Sequence, residues 1–327
     1  NHLMDIYVKK AIIHQFSPDD TDLYLADKFL NITPKIEEYL RKKIERVYSD
    51  EARTVIFEED NPFLEMISDD LLETSVAVAN RWKEEFVVSE NQKTNDLVFI
   101  QFSKEGVDHF AFLRIALRET LTHLGGEVDN PIKLTQNNLP GFGTGADEAL
   151  VINLQSRKYH LIEKRIKYNG TFLNYFSENL LQAQPKISPK KSIKALEKTA
   201  QKIAESFNTD DFQFQSKVKS AIFNHIEEEN KLSPEKLADD LFNDNLTARL
   251  SFIDQVKEAV PEPVTFEEID ASRQLKKFEN QKLSLSNGIE LIVPNNVYED
   301  AESVEFILNE NGTYSILIKN IEDIQSK

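Results

Sequence analysis

The sequence predicts an α+β fold, with an antiparallel-sheet N-terminal domain, a helical middle region and C-terminal strand pairs. Three observations predict it. β-Branched, extended segments dominate the first half and are joined by hairpin-length connections rather than helical crossovers. Residues 185–260 change to helical spacing behind repeated cap-plus-proline starts. The tail returns to strand chemistry around two Asn-Gly turn signals. The expected domains are 4–184, mixed α+β; 185–260, helical; and 261–327, β-rich.

Residues 5–16, DIYVKKAIIHQF, read as an opening strand, with Ser17-Pro18-Asp19-Asp20 as a turn and Leu23-Tyr24-Leu25 as its partner. Thr33-Pro34 then supplies an N-cap and a first-turn proline, and Ile36, Leu40, Ile44 and Val47 recur at helical spacing. A second helix is expected over 68–85, with Leu71, Leu72, Val76, Ala79 and Trp82 on a buried face. From Asp96 the period becomes extended, and LVFIQFSKEGVDHFAFLRIAL reads as a hairpin turning near Lys104-Glu105-Gly106. Strands follow at 149–155 and 159–166, after a polar loop from Asn137 to Asp147. Gln184-Pro185 through Pro189 marks a break. Ser188-Pro189 and Ser233-Pro234 open helices beyond it, and Pro261-Glu262-Pro263 ends that region. Asn287-Gly288 and Asn311-Gly312 then mark turns within KLSLSNGIELIVP and SVEFILNENGTYSILIK.

The length of 327 residues suffices for a substantial core, so disorder does not describe the whole chain. There is no cysteine, which excludes disulfides and every Cys-based metal, redox or nucleophile chemistry and fits an intracellular protein. No uncharged apolar run approaches the ~20 residues that cross a bilayer. Asp5, Lys9 and Lys10 interrupt any secretory signal pattern, and Asn1-His2-Leu3 ahead of Met4 reads as a cloning remnant.

The net charge of −17 argues against a protein coated in positive charge, such as a histone-like packager, but not against a local basic face. Three segments carry the cations. Residues 157–167 hold Arg157, Lys158, Lys164, Arg165 and Lys167 against Glu163, a net of +4. Residues 186–202 hold Lys186, Lys190, Lys191, Lys194, Lys198 and Lys202 against Glu197, a net of +5. Residues 273–282 hold Arg273, Lys276, Lys277 and Lys282 against Glu279, a net of +3, which leaves −29 on the rest of the chain. At about 100° per residue, Ile193, Leu196, Ala200, Ile203 and Phe207 share one side of a helix and Lys191, Lys194, Lys198 and Lys202 the other. The lysine ridge spans roughly 16 Å, comparable to several backbone phosphates. Lysine suits such contact as a mobile point charge that does not read bases. A solvated helix face is the alternative reading.

No catalytic constellation emerges. His14, His109, His123, His160 and His225 stand apart, with no HExxH or HxH, so each reads as a surface or hydrogen-bonded structural residue and no metal site is expected. An acidic nuclease pattern fails on location: Pro18-Asp19 lies in a turn, and Glu229-Asn230-Lys231 closes a helical stretch. Gly141, Gly143 and Gly145 form G-F-G-T-G, but a nucleotide fingerprint needs a preceding strand and a following helix. A Leu139-Pro140 loop precedes and a strand follows, so a flexible loop is expected there. No cofactor and no enzymatic activity are expected.

The ordered set of segments resembles the bacterial 37-kilodalton nucleoid-associated protein family. The matching stretches are IIHQF; RKKIERVYSDEARTVIF; LVFIQFSKEGVDHFAFLRIAL; ALVINLQSRKYHLIEKRIKYNGTFLNYFSENLL; and RQLKKFENQKLSLSNGIELIVP with a final strand pair. The resemblance implies a cytoplasmic protein associated with the bacterial chromosome, and supplies no defined set of DNA-contacting residues. Charge placement nominates Lys190, Lys191, Lys194, Lys198 and Lys202, with Arg157, Lys158, Arg165, Lys167, Arg273, Lys276 and Lys277, as contacts to DNA phosphates. The alternative is an acidic adaptor that docks on a basic, DNA-bound protein such as a topology enzyme. Phe207, Phe212, Phe214, Ile222, Phe223 and Phe242 offer apolar surface for packing on the first domain or on a second copy, and a homodimer would double any basic patch.

Overall fold

The computed structural model describes residues 5–19, 21–87, 89, 93–184, 186–266 and 268–326. Residues 1–4, Asp20 of the expected opening turn and Pro185 of the expected break lie outside them. The chain divides into two compact units, Asn1–Ser188 and Pro189–Lys327.

In the first unit the elements are β1 (Ile6–Ser17), β2 (Asp22–Tyr24), α1 (Pro34–Glu45), β3 (Arg53–Ile56), α2 (Pro62–Glu65) and α3 (Leu71–Phe86). There follow β4 (Asn95–Lys104), β5 (Val107–Ala116), β6 (Arg118–His123), β7 (Ile132–Asn138), β8 (Glu148–Asn153) and β9 (Lys158–Ile162). The short strands β10 (Ile166–Tyr168) and β11 (Thr171–Leu173) and a π-helical turn at Phe176–Leu180 complete it. Seven strands form one antiparallel sheet in the order β2-β1-β4-β5-β8-β9-β3. The β4–β5 turn places Glu105 at φ +53° and Gly106 at φ +79°, the two left-handed residues that a two-residue hairpin matching strand twist requires.

Helices cover both faces of the sheet, which explains why β4 is apolar at successive positions instead of alternating. Leu97 and Phe99 enter a core with Trp82 and Phe86 of α3 and with Phe176. Val98 and Ile100 enter the opposite core with Leu40 and Ile44 of α1. Thr33 Oγ1 accepts from the Ile36 amide to start α1, with Pro34 in its first turn. Asp70 caps α3 by accepting from Leu72 and Glu73. The buried stripe of α3 runs through Leu71, Thr74, Ser75, Val78, Ala79, Trp82 and Phe86; Leu72 and Val76, expected on it, lie at its margin. The pair β6–β7 forms a separate two-stranded ribbon with Leu121, Ile132 and Leu134 exposed.

The second unit opens with α4 (Pro189–Ser206), α5 (Phe212–Glu229), β12 (Lys231–Leu232), α6 (Pro234–Leu241) and α7 (Leu246–Val256). It continues with β13 (Val264–Thr265), α8 (Glu268–Phe278), β14 (Asn280–Ser284), β15 (Glu290–Pro294), α9 (Asn295–Tyr298), β16 (Val304–Leu308) and β17 (Tyr314–Ile318). Ser233 caps α6 ahead of Pro234, and Asp211 and Asn245 cap α5 and α7. One core gathers Ile193 and Leu196 of α4, Ile222 of α5, Leu237 of α6, Phe252 of α7 and Phe278 of α8. Gln281 of β14 donates to the Ser216 carbonyl at 3.0 Å and to Asn295 Oδ1 at 2.8 Å, which ties β14 and α9 to α5. Phe212 packs on Phe306 and Tyr314, with ring centroids 5.2 and 5.3 Å away, and attaches the β16–β17 ribbon. Gly288 and Gly312 take left-handed φ in the two tail turns.

Phe207, expected on the buried side of α4, falls beyond the helix end and is 36% exposed. Ile222 and Phe242 are buried within the unit, and Phe214 and Phe223 pack on its core.

Candidate nucleic-acid interface

The second unit presents the amphipathic helix that the sequence implies. Ser192, Ile193, Leu196, Ala200, Ile203 and Ala204 of α4 are buried, and Lys191, Lys194, Lys198 and Lys202 are exposed. Beside this ridge a surface cavity of about 340 Å³ is bordered by Lys194, Lys198, Glu197 and Lys219, over Phe214 and Val218. Burial pushes the Glu197 carboxyl above its ordinary 4.5, against the pull of Lys277, Lys219 and Lys194. Cations of α4, α5 and α8 that are far apart in sequence therefore surround one partly buried carboxylate.

On α8, Ala271, Gln274 and Phe278 face inward and Arg273, Lys276 and Lys277 are exposed. The ammonium of Lys277 also sits 5.0 Å from the Phe278 ring centroid. Lys190, in the first turn of α4, is half-buried. The charge pattern of the sequence does not single out Lys219; only the packing of α5 beside α4 brings it to the ridge.

The segment 157–167 belongs to the first unit and is largely occupied with local structure. Arg157, at φ +62°, pairs with Glu59 at 3.0 Å, and Lys164 pairs with Asp147 at 2.8 Å. Arg165 donates to the Phe172 carbonyl at 3.1 Å. Lys158 lies in β9 opposite Ile56, and Lys167 lies in β10 opposite Phe172; both are exposed. Glu163 pairs with Arg53 and accepts from Ser177.

Among the described residues no group of three or more His, Asp or Glu side chains is arranged to hold a metal ion. His14 is buried, with its Nδ1 accepting from the Ala26 amide at 2.9 Å and its Nε2 2.8 Å from Ser75 Oγ. His109 bonds the Val107 carbonyl at 2.8 Å, His225 lies 2.5 Å from Asp240, and His123 lies 2.6 Å from Asn130. His160 is buried beside Tyr48, ring centroids 4.7 Å apart. The G-F-G-T-G loop departs from the flexible loop expected. Lys43 of α1 donates to the Gly141 carbonyl at 2.7 Å and to that of Thr144, and Tyr39 Oη donates to the Pro140 carbonyl at 2.8 Å.

The family model described as nucleoid-associated protein YejK matches residues 12–324, nearly the whole chain. The chain belongs to that family. No curated relative matches the sequence. For a nucleoid-associated protein, the lysine surface of the second unit is the feature of immediate interest. Among the described residues no helix is long and apolar enough to cross a membrane.

Proposed function

We propose that this nucleoid-associated protein binds DNA directly, without catalysis, by laying the exposed lysine face of α4 along backbone phosphates. Lys190, Lys191, Lys194, Lys198 and Lys202 supply the ridge, and Arg273, Lys276 and Lys277 of α8 widen it. The observation that carries this reading is the gathering of Lys194, Lys219 and Lys277 around Glu197 in a molecule of net charge −17. Diffuse positive charge would be useless on so acidic a chain, whereas a local patch gives phosphates a favourable landing place. Arg157, Lys158, Arg165 and Lys167 of the first unit are the weaker nominees, since Arg157 already answers Glu59. Lysine contacts of this kind position a duplex without reading its sequence. A homodimer would double the patch and raise avidity.

The decisive measurement is duplex binding by fluorescence anisotropy across a salt series. Affinity should fall with a log-log slope of about −0.9 per neutralised phosphate. Replacing Lys191, Lys194, Lys198 and Lys202 together by Glu should abolish it. Unchanged DNA retention by that variant removes α4 from the interface.

The second reading is an adaptor that reaches the nucleoid through a basic, DNA-bound protein such as a topology enzyme. It draws support from a cavity between α5 and α6 bordered by Glu228, Glu229, Asp239 and Asp240 around His225 and Lys236. Such a surface complements a cationic partner. Partners retained after nuclease treatment, combined with no duplex binding by the purified protein, favour it.

A further inference from the structure

The pinned loop of the first unit carries a second concentration of positive charge, on elements separate from α4, α5 and α8. Besides Arg41, five cations lie on α1, at its C-cap or at the foot of the β6–β7 ribbon. Lys35 and Lys42 each place their ammonium 5.4 Å from the Phe142 ring centroid. Both also pair with Glu38, at 3.6 and 3.1 Å. Lys43 is fully buried and bonded to the loop carbonyls. Arg46 is exposed one turn on, and its Cδ lies 3.6 Å from where a Cβ on Gly145 would stand. Arg118 is also exposed; its register opposite Asn138 sets it where β7 runs into the loop. Among the described residues neither Arg46 nor Arg118 forms an ion pair with a carboxylate, whereas Arg41, on the same helix, is flanked by Glu37 and Glu45.

The glycines give an independent indication. Gly141, Gly143 and Gly145 do not take left-handed φ, and a Cβ on Gly141 or Gly143 would meet nothing within 4 Å. The fold therefore has neither a conformational nor a packing need for glycine at these two positions. Open backbone in a loop that meets the Arg46 side chain at Gly145 does have a use, because it lets a bulky tetrahedral anion approach closely.

We propose that the surface where α1 meets the 141–145 loop binds a phosphate group, gripped by the guanidinium groups of Arg46 and Arg118 with Lys42 at its rim. Arginine suits this role because its fork offers parallel N–H donors to two phosphate oxygens. Lys43 lies beneath the site and contributes field rather than contact. Burial, together with the repulsion of Arg46 and Arg118, holds its ammonium down to about 8. A bound dianion relieves that repulsion. The phosphate belongs either to a nucleic-acid backbone or to a free nucleotide.

The test is calorimetric titration of the full chain with inorganic pyrophosphate. Wild type, the Arg46→Glu/Arg118→Glu variant, the milder Arg46→Gln/Arg118→Gln variant and the α4 lysine-to-glutamate variant are compared after matched thermal unfolding curves. Wild type and the α4 variant should bind pyrophosphate saturably, and both arginine variants should lose at least about tenfold in affinity, the loss of one charge-assisted contact or more. Displacement of pyrophosphate by a short DNA duplex, with weakened duplex binding by the arginine variants, supports the site and assigns the phosphate to a backbone. Displacement by a nucleoside triphosphate but not by the duplex supports the site and assigns it to a free nucleotide. Absence of saturable pyrophosphate binding by wild type, or equal binding by the arginine variants, overturns the proposal. Because the α4 variant is scored separately, failure of this site and failure of the α4 interface give different results.

Discussion

Arg114 of β5 and Glu148 of β8 are directly opposed in register, both buried, with Nε and Oε1 2.6 Å apart. Around them Arg114 donates to Asn95 Oδ1 at 3.0 Å, Tyr175 Oη donates to Glu148, and Trp82 Nε1 donates to Tyr175 at 3.0 Å. The pair links three sheet strands to α3 and to the segment that enters the π-helical turn. Glu148→Ala leaves the guanidinium buried without its countercharge and should destabilise the first unit by about 3–5 kcal/mol. Replacing both partners by leucine should recover much of that loss. Urea unfolding read from Trp82, the single tryptophan, measures both. An undiminished midpoint for Glu148→Ala would show that the charge is solvated.

His14 should make the first unit acid-sensitive. Its Nδ1 accepts from the Ala26 amide, so the ring is neutral with its proton on Nε2, facing Ser75. Burial lowers its pKa below the ordinary 6.5. Between the two values the unfolded chain binds the proton more readily than the folded one, so stability is flat above the unfolded value and falls as pH drops below it. His109, also lowered by burial, adds to the same trend. Urea midpoints at pH 7.5 and 5.5 should differ less in His14→Gln than in wild type. An unchanged difference would assign the sensitivity to other groups.

Most of the long elements were legible in the sequence, and the reasons are physical. The β4–β5 hairpin announces itself through a continuous apolar run broken by Glu105-Gly106, and α1 and α6 through cap-plus-proline starts. The β6–β7 ribbon was not legible, because His123, Lys133, Thr135 and Gln136 blur any alternation, and its strands contact little beyond each other. At the candidate interface the α4 lysines were readable from helical phase alone. Lys219 and the pinning of the glycine loop by Lys43 were not, since both depend on elements brought together by packing.

The glycine loop should depend on one ammonium. Lys43→Met removes the donor shared by the Gly141 and Thr144 carbonyls while keeping much of the apolar stem that packs within the first unit. Hydrogen bonds to a charged group contribute about 1.5–3 kcal/mol each. Amide exchange across 142–146 should therefore accelerate by roughly tenfold or more, with little change in strands β4 and β5. Unaltered exchange across the loop would mean that Tyr39 and Phe142 hold it by themselves.

Glu197 offers the sharpest probe of the lysine surface, because it opposes the very charges that would meet DNA. Its carboxylate lies among Lys194, Lys219 and Lys277, with its pKa raised by burial. Glu197→Gln keeps the shape and removes the negative charge. Duplex affinity at neutral pH should rise by roughly two- to fivefold, the scale of one charge–charge interaction at a protein surface. The two proteins should converge as pH falls, since protonation makes the wild-type carboxyl neutral as well while phosphodiesters stay charged. High salt should shrink the difference through screening. If Glu197→Gln binds DNA more weakly than wild type, the carboxylate is organising the lysines rather than opposing them, and the cations of α4, α5 and α8 act as a structural network instead of a landing place for phosphates.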